Sequence, residues 1–540
     1  MKLLSLLIAI FGLAGCAAAQ SPDTPIGFSD LGSYRISGPT TARVAGAQSF
    51  STFQVGVTID KQGKVVEAWP ANPMSDTGAG PAVEAARQWT FKPFIYRDRP
   101  VMAVGTVEIQ LLPPEIVPDP SRQFPTAAPQ DVSITLERTA CYGTCPNYRV
   151  TIDGTGAVVF ETPESLFPGT DSQVHAAFNG LSVLWPGQHR DTVDPASVAA
   201  LVTRFRDAQF MGLQDTYRAG VTDNPTYSLT LRVGGTTKQV IDYAGPSVGM
   251  PDSVRQLEDA VDELAQTRRW ISGDAATIAS LKAEHFDFRT PAAAQLVGAA
   301  IALRPASDET VGVTTLIRQA IDAGLNLEQP VPDPRGRPGE NRKVGAAIAL
   351  YAADIGDEAL FQEMADKKQL AGIGTGELTR ALAGGAGCSP AIAQALVEAG
   401  ADPKGYRAKW SDGTATALHA LRSRWTACAT VSSARRVAFA RSLIALRVPL
   451  EVRDDIGWTP LMGLNDPDVA RVLLDAGADP NKTSSGLPTL MSGEDERVVL
   501  LLLDRGANPR VADGKKTLRQ LARNSHWQTT TEWLDQHGVP

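Results

Sequence analysis

The sequence is short of cysteine, with five in 540 residues, too few for the disulfide-dense scaffold of a small secreted domain. It is short of positive charge. Lys and Arg number 51 against 59 Asp and Glu, a formal net charge of −8, so the basic footprint of a nucleic-acid binder is missing. Its opening apolar stretch, Leu3 to Leu13, falls short of the about 20 residues that cross a bilayer as a helix. Catalytic signatures are missing too. None of the six histidines, His175, His189, His285, His419, His526 and His537, sits in an H-E-x-x-H pattern, and no G-x-S-x-G elbow, phosphate loop or G-x-G-x-x-G follows a strand pattern. The sequence therefore nominates no catalytic residue, no metal ligand and no cofactor. What remains is ordinary globular composition, 43% apolar and 20% charged, in a chain long enough for about three or four domains.

The start reads as an address. Lys2 precedes the apolar run, which closes in Leu13-Ala14-Gly15-Cys16, and a run of this length suits a signal sequence. The closing tetrad resembles the bacterial lipobox. The resemblance implies a signal peptide over 1–16, lipid on Cys16 as the mature N-terminus, and a membrane held by that anchor. With Ala17 rather than Asp next in line, it implies the periplasmic side of the outer membrane. Residues 17–47, rich in Ala, Gly, Ser, Thr and Pro, read as a tether.

Over 48–113, Phe53, Val55, Val57 and Ile59 alternate with mostly polar or small neighbours, the period of a half-buried strand. Asp60 to Gly63 turn the chain back, Pro81 opens a short helix to Trp89, and Val107, Ile109 and Leu111 alternate again. The segments 57–66, 85–93 and 99–101, with Trp89, Phe91 and Pro93 as their most specific part, resemble the TonB C-terminal domain. That resemblance implies a small strand-strand-helix-strand unit that contacts proteins in the envelope. Residues 114–130 are proline-dense and read as a semi-rigid linker.

Residues 131–271 alternate at Val132, Ile134 and Leu136, at Tyr148, Val150 and Ile152, and at Tyr227, Leu229, Leu231 and Val233. Asp194-Pro195 reads as a helix start, and Val254, Leu257, Val261 and Leu264 fall on one face of a closing helix. The expected fold is α+β with antiparallel hairpins. Cys141 and Cys145 are separated by three residues, not the two of a thioredoxin-like pair, and no further zinc ligands lie nearby. A local disulfide and a thiol-exchange site both remain open. The segment L-E-R-T-A-C-Y-G-T-C-P-N-Y (136–148), with T-D-N-P at 222–225, resembles a bacterial domain family of unknown function that occurs in lipoproteins. Asp223 is the family-matched carboxylate there and also reads as a turn residue. Apart from Cys16, the cysteines number four, and in an exported chain this even remainder suggests the pairs Cys141–Cys145 and Cys388–Cys428.

Residues 272–540 hold repeats. Ala399-Gly-Ala-Asp-Pro403 recurs as Ala476-Gly-Ala-Asp-Pro480 and Arg505-Gly-Ala-Asn-Pro509. Thr416, Thr459, Thr489 and Thr517 each open a T-x-L or T-L pattern, the last three about 30 residues apart. These segments resemble ankyrin repeats, whose period is about 33. The resemblance implies an α-helical ankyrin solenoid, a structural hydrogen-bonding role for His419, and turn tips that contact a partner. Asp454, Asp455 and Trp458 are the residues singled out at one such tip. The expectation is a non-catalytic envelope lipoprotein that binds a protein partner yet to be identified. The alternative is an enzyme or thiol-redox protein with its site in 131–271.

Overall fold

A computed structural model describes residues 24–47, 51–71, 79–143, 145–163, 182–303, 310–332, 341–407, 413–422 and 426–540. Cys16 and the apolar run before it lie outside the described residues. No helix among the described residues is long and apolar enough to cross a membrane.

The first unit begins with three short strands, β1 (Ile26–Gly27), β2 (Arg35–Ser37) and β3 (Thr41–Arg43), followed by β4 (Thr52–Ile59) and β5 (Val65–Pro70). Helix α1 (Ala79–Arg87), β6 (Thr90–Phe91), the hairpin of β7 (Phe94–Tyr96) and β8 (Arg99–Val101), and β9 (Ala103–Leu112) complete it. Strand β9 is the centre. It runs antiparallel to β4 on one side and parallel to β1 and β3 on the other. The alternating residues Phe53, Val55, Val57 and Ile59 join Val107, Ile109 and the alanines of α1 in one core. Residues 24–47 are thus drawn into the sheet. Their small side chains read as a tether, but backbone pairing with β9 needs no particular side chain.

The central unit contains β10 (Val132–Arg138), β11 (Tyr148–Asp153), β12 (Ala157–Glu161), β13 (Gln188–Thr192), α2 (Pro195–Asp207), β14 (Thr216–Arg218), β15 (Tyr227–Val233), β16 (Thr236–Tyr243) and α3 (Asp252–Ala265). Its seven strands lie in the order β13-β12-β11-β10-β15-β16-β14. Asp194 caps α2, its side chain accepting from the Ala196 amide, with Pro195 in the first turn. The proline-dense segment is pinned to this unit. The amides of Ile116 and Asp119 donate to the carbonyls of Gly249 and Gly212, each at 2.8 Å.

The rest of the chain is α4 (Arg268–Ile271), α5 (Thr277–Ala283), α6 (Pro291–Leu303), α7 (Thr310–Asp322), the hairpin β17 (Pro330–Pro332)–β18 (Asn341–Lys343), α8 (Val344–Ile355), α9 (Glu358–Asp366), α10 (Thr375–Ala383), α11 (Pro390–Glu398), α12 (Ser433–Ala445) and α13 (Pro467–Asp475). Then come the hairpin β19 (Thr483–Ser484)–β20 (Leu487–Pro488), α14 (Glu496–Asp504), the hairpin β21 (Ala512–Asp513)–β22 (Lys516–Thr517), α15 (Leu518–Asn524) and α16 (Gln528–Gln536). From α10 to α14 each helix packs on the next.

This architecture corrects the expected fold class. The chain is a mixed α/β protein with sixteen α-helices among the described residues and several sheets, and no clear ankyrin solenoid is evident in those residues. The local reason is lack of room. Between Thr459 and Pro467 the chain must also pass Gly463, which sits at φ 71°, and no helix forms there. Thr489–Ser492 makes one 3-10 turn before Gly493, and His419–Arg422 another after Thr416. At 463 a left-handed glycine followed closely by the capped start of α13 leaves no residues for a first helix. The first unit departs from strand-strand-helix-strand as well, because β1 and β3 extend its sheet beyond β9.

Candidate functional site

Two places collect the residues singled out from sequence. The first is the end of the central sheet from which the Cys141–Cys145 loop hangs. Arg138 is the last residue of β10, and the register sets it opposite Tyr148 on β11 and Tyr227 on β15. Its guanidinium lies 4.6 Å from the Tyr227 ring centre and 5.9 Å from that of Tyr148, within cation–π range. From α3, Asp262 meets Arg138 at 2.6 Å and accepts from the Tyr148 hydroxyl at 2.6 Å and the Thr267 hydroxyl at 2.8 Å. Burial pushes the Tyr148 hydroxyl well above its ordinary range, and the charge on Asp262 pushes it further. Burial also raises the Asp262 carboxyl, with Arg138 opposing.

Glu258, also on α3, is pushed up to about 8, by burial first and by the charge of Asp242 second. Its Oε1 has no hydrogen-bond partner. Asp242 is itself fully buried and accepts from the Gly245 amide at 2.6 Å and from Arg255 at 3.3 Å. Glu258 is only 1% exposed, so in this conformation a solute does not reach it. What the cluster does is lock three strands to α3.

The loop this lock supports is closed by a disulfide between Cys141 and Cys145, whose Cα atoms are 5.5 Å apart. The Tyr142 amide donates to the Asp223 carbonyl at 3.3 Å, so the two family-like segments meet in space. Asp223 holds a turn at φ 68° and accepts from the Thr222 hydroxyl at 2.9 Å. Tyr142 is 89% exposed, and no pattern in the sequence marks it.

The second place is the turn Arg453 to Trp458. Asp454 is buried there. Its carboxylate accepts from the amides of Ile456 at 3.2 Å and Trp458 at 2.8 Å and pairs with Arg422. It organises the turn from within and presents nothing to solvent. Asp455 is exposed, Trp458 is half-buried under the Arg422 guanidinium at 5.2 Å, and Ile456 is 58% exposed. Arg453 ties this turn to the next hairpin by donating to the Thr483 carbonyl at 2.6 Å. Ile456 carried no sequence signal beyond its place in the turn.

His419 lies beneath. Its Nδ1 accepts from the Thr416 amide at 3.0 Å, which leaves Nε2 to donate to the Trp458 carbonyl at 3.1 Å. Burial, and then the charge of Arg422, lower its pKa to about 4, so the ring is neutral. Cys388 and Cys428 form a second disulfide, with Cα atoms 5.0 Å apart, joining the 3-10 turn before α11 to the one before α12.

Residues 132–265, the unit that holds Arg138 and the cysteine loop, match the model of a domain family of unknown function, DUF6438. No curated protein matches the chain.

Proposed function

We propose that this chain is a lipoprotein of the cell envelope, anchored through Cys16 to the outer membrane and facing the periplasm, that acts without catalysis by binding a protein partner. The turns between its C-terminal helices form the contact surface. One observation supports this reading above the others: a turn fixed from inside by Asp454 and Arg422 presents Ile456 and Asp455 to solvent. A rigid turn with an exposed apolar side chain loses little entropy on binding, which is how a few residues come to dominate an interface.

The test is crosslinking in cells, comparing wild type with the double variant Asp455→Lys, Ile456→Asp. Loss of a crosslinked protein with an unchanged melting curve supports the reading. The same partner at the same yield overturns it. Cys16→Ser, expected to release the protein or leave it uncleaved, tests the anchor separately.

A second reading is thiol exchange at Cys141 and Cys145. It is favoured by their half-exposed place on the loop that carries Tyr142. Trapping of a mixed disulfide by Cys145→Ala decides for it, since Cys141 would then hold its target.

A further inference from the structure

Strand β1 is two residues long, and such a strand does not hold itself in place. Its amides alternate. Those of Ile26 and Phe28 donate to the carbonyls of Met102, just before β9, and Val104, on it, at 3.0 and 2.9 Å. Those of Gly27 and Ser29 point the other way, as the amides of an edge strand do. Among the described residues no further strand meets them. Gly27 donates to Glu496 Oε2 at 2.6 Å, and Ser29 donates to Asp495 Oδ2 at 3.2 Å through its amide and 3.3 Å through its hydroxyl. Two successive carboxylates at the start of α14 thus stand where the next strand would be. The other oxygen of Glu496 accepts from the Thr530 amide on α16 at 2.7 Å. Gly27 is there for closeness: a Cβ on it would lie 2.3 Å from the Trp527 ring.

We propose that residues 26–29 and the pair Asp495–Glu496 form a clasp between the first sheet and the C-terminal helices that a proton on Glu496 tightens and its loss loosens. The two acids are not equivalent. Asp495 is fully buried and matched by Arg497 at 2.8 Å, and that guanidinium lies 4.0 Å from the Phe28 ring centre. Glu496 is equally buried, and what meets it there is the two amides and the Thr530 side chain. The other charged or titratable groups around it are Asp495 and Arg497 on its own helix, and Tyr96 and Arg97 from the β7–β8 hairpin. Arg97 is taken up by Asp504 at 2.9 Å. From β1 it meets the Gly27 amide, and from α16 the Thr530 amide and side chain. His526, just before α16, rests against Trp69.

The sign follows from burial, which lifts the Glu496 carboxyl to about 7 despite its two amide donors. Opening the clasp returns it to water and to its ordinary value of 4.5. Opening therefore releases a proton between pH 4.5 and 7. The opening constant rises about tenfold per pH unit across that window and levels off above it.

The experiment is hydrogen exchange of the Gly27 and Ser29 amides in the full chain from pH 5 to 8, corrected for intrinsic exchange. We expect the opening constant to rise by about fortyfold from pH 5 to 7. In Glu496→Gln, which keeps the shape and one of the two acceptor oxygens but has no proton to lose, the rise disappears. In His526→Ala it stays, and in Gly27→Ala protection is low at every pH. A flat wild-type profile overturns the proposal, as does an undiminished slope in a folded Glu496→Gln protein. If that variant does not fold, the wild-type slope compared with that of His526→Ala decides.

Discussion

In the central unit Arg138 serves several groups at once: Asp262, more distantly Asp259, and the rings of Tyr148 and Tyr227. Among the C-terminal helices each buried aspartate has an arginine of its own, Asp454 with Arg422, Asp466 with Arg436, Asp495 with Arg497. The difference follows from topology. A sheet brings residues distant in sequence to one rung, so one cation can answer to β10, β11, β15 and α3 together. Helices that pack mainly on their neighbours offer each charge only what the adjacent turn supplies. Loss of the shared cation should be felt across a whole unit, and loss of a private one should stay local.

The largest effect expected is that of Arg138→Ala. It takes the cation from Asp262, leaving that half-buried carboxylate the Tyr148 and Thr267 hydroxyls, and should cost about 3 kcal/mol, read as a lower urea midpoint for the whole central unit. Arg436→Ala leaves Asp466 its two amide donors at the start of α13 and should cost about 1–3 kcal/mol. Its loss of exchange protection should be confined to α12 and α13. Equal, global losses in the two variants would break the comparison.

The disulfides sharpen the same contrast. Cys388 and Cys428 are 40 residues apart, Cys141 and Cys145 only four. Loop-closure entropy gives about 4 kcal/mol for the first and about 2 kcal/mol for the second. Calorimetry of Cys388→Ala, Cys428→Ala beside Cys141→Ala, Cys145→Ala should rank them in that order.

Two buried groups should titrate with opposite signs. Glu258 holds its proton more tightly when folded, up to about 8. Its stabilising contribution is complete below pH 4.5 and is lost as pH rises towards 8. His419, lowered to about 4, resists its proton when folded. Its contribution is complete above pH 6.5 and is lost as pH falls towards 4. Each can tilt the stability curve by at most about 1.4 kcal/mol per pH unit. Chemical denaturation from pH 4 to 8 should show the alkaline decline flattened by Glu258→Gln and the acid decline flattened by His419→Gln. The smallest effect expected is that of Asp455→Ala, exposed and outside the Asp454 network, within about 0.5 kcal/mol by thermal melting.

Where a pattern repeats within a few residues, the sequence was readable. The alternations from Val132 and Tyr227 are neighbouring strands β10 and β15, because period two records a buried face however the sheet is later assembled. Asp194-Pro195 starts a helix because capping is local. Asp454 misled because an aspartate beside a Gly-containing turn reads the same whether it faces water or, as here, holds the turn from within. The repeats misled more. The glycine and threonine punctuation is present, but the segments that should become first helices, such as 460–466, are too short to form them. The strap at 26–29 was least legible of all. Its partners lie 466 and 469 residues away, and its composition describes side chains while its bonds are made by backbone.

That distance sets an order of events. A chain emerging from the ribosome makes Gly27 and Ser29 long before Asp495, Glu496 and Thr530 exist. Strand β1 can pair with β9 early, but its outward amides wait for α14 and α16. A copy that stops short of α16 keeps an open edge beside the first sheet, where an intact copy shows a sealed one. The seam between the first sheet and helices α14 and α16 thus distinguishes molecules that carry both helices from molecules that lack them, and proteases that sample exposed strand edges would meet the difference at residues 24–31.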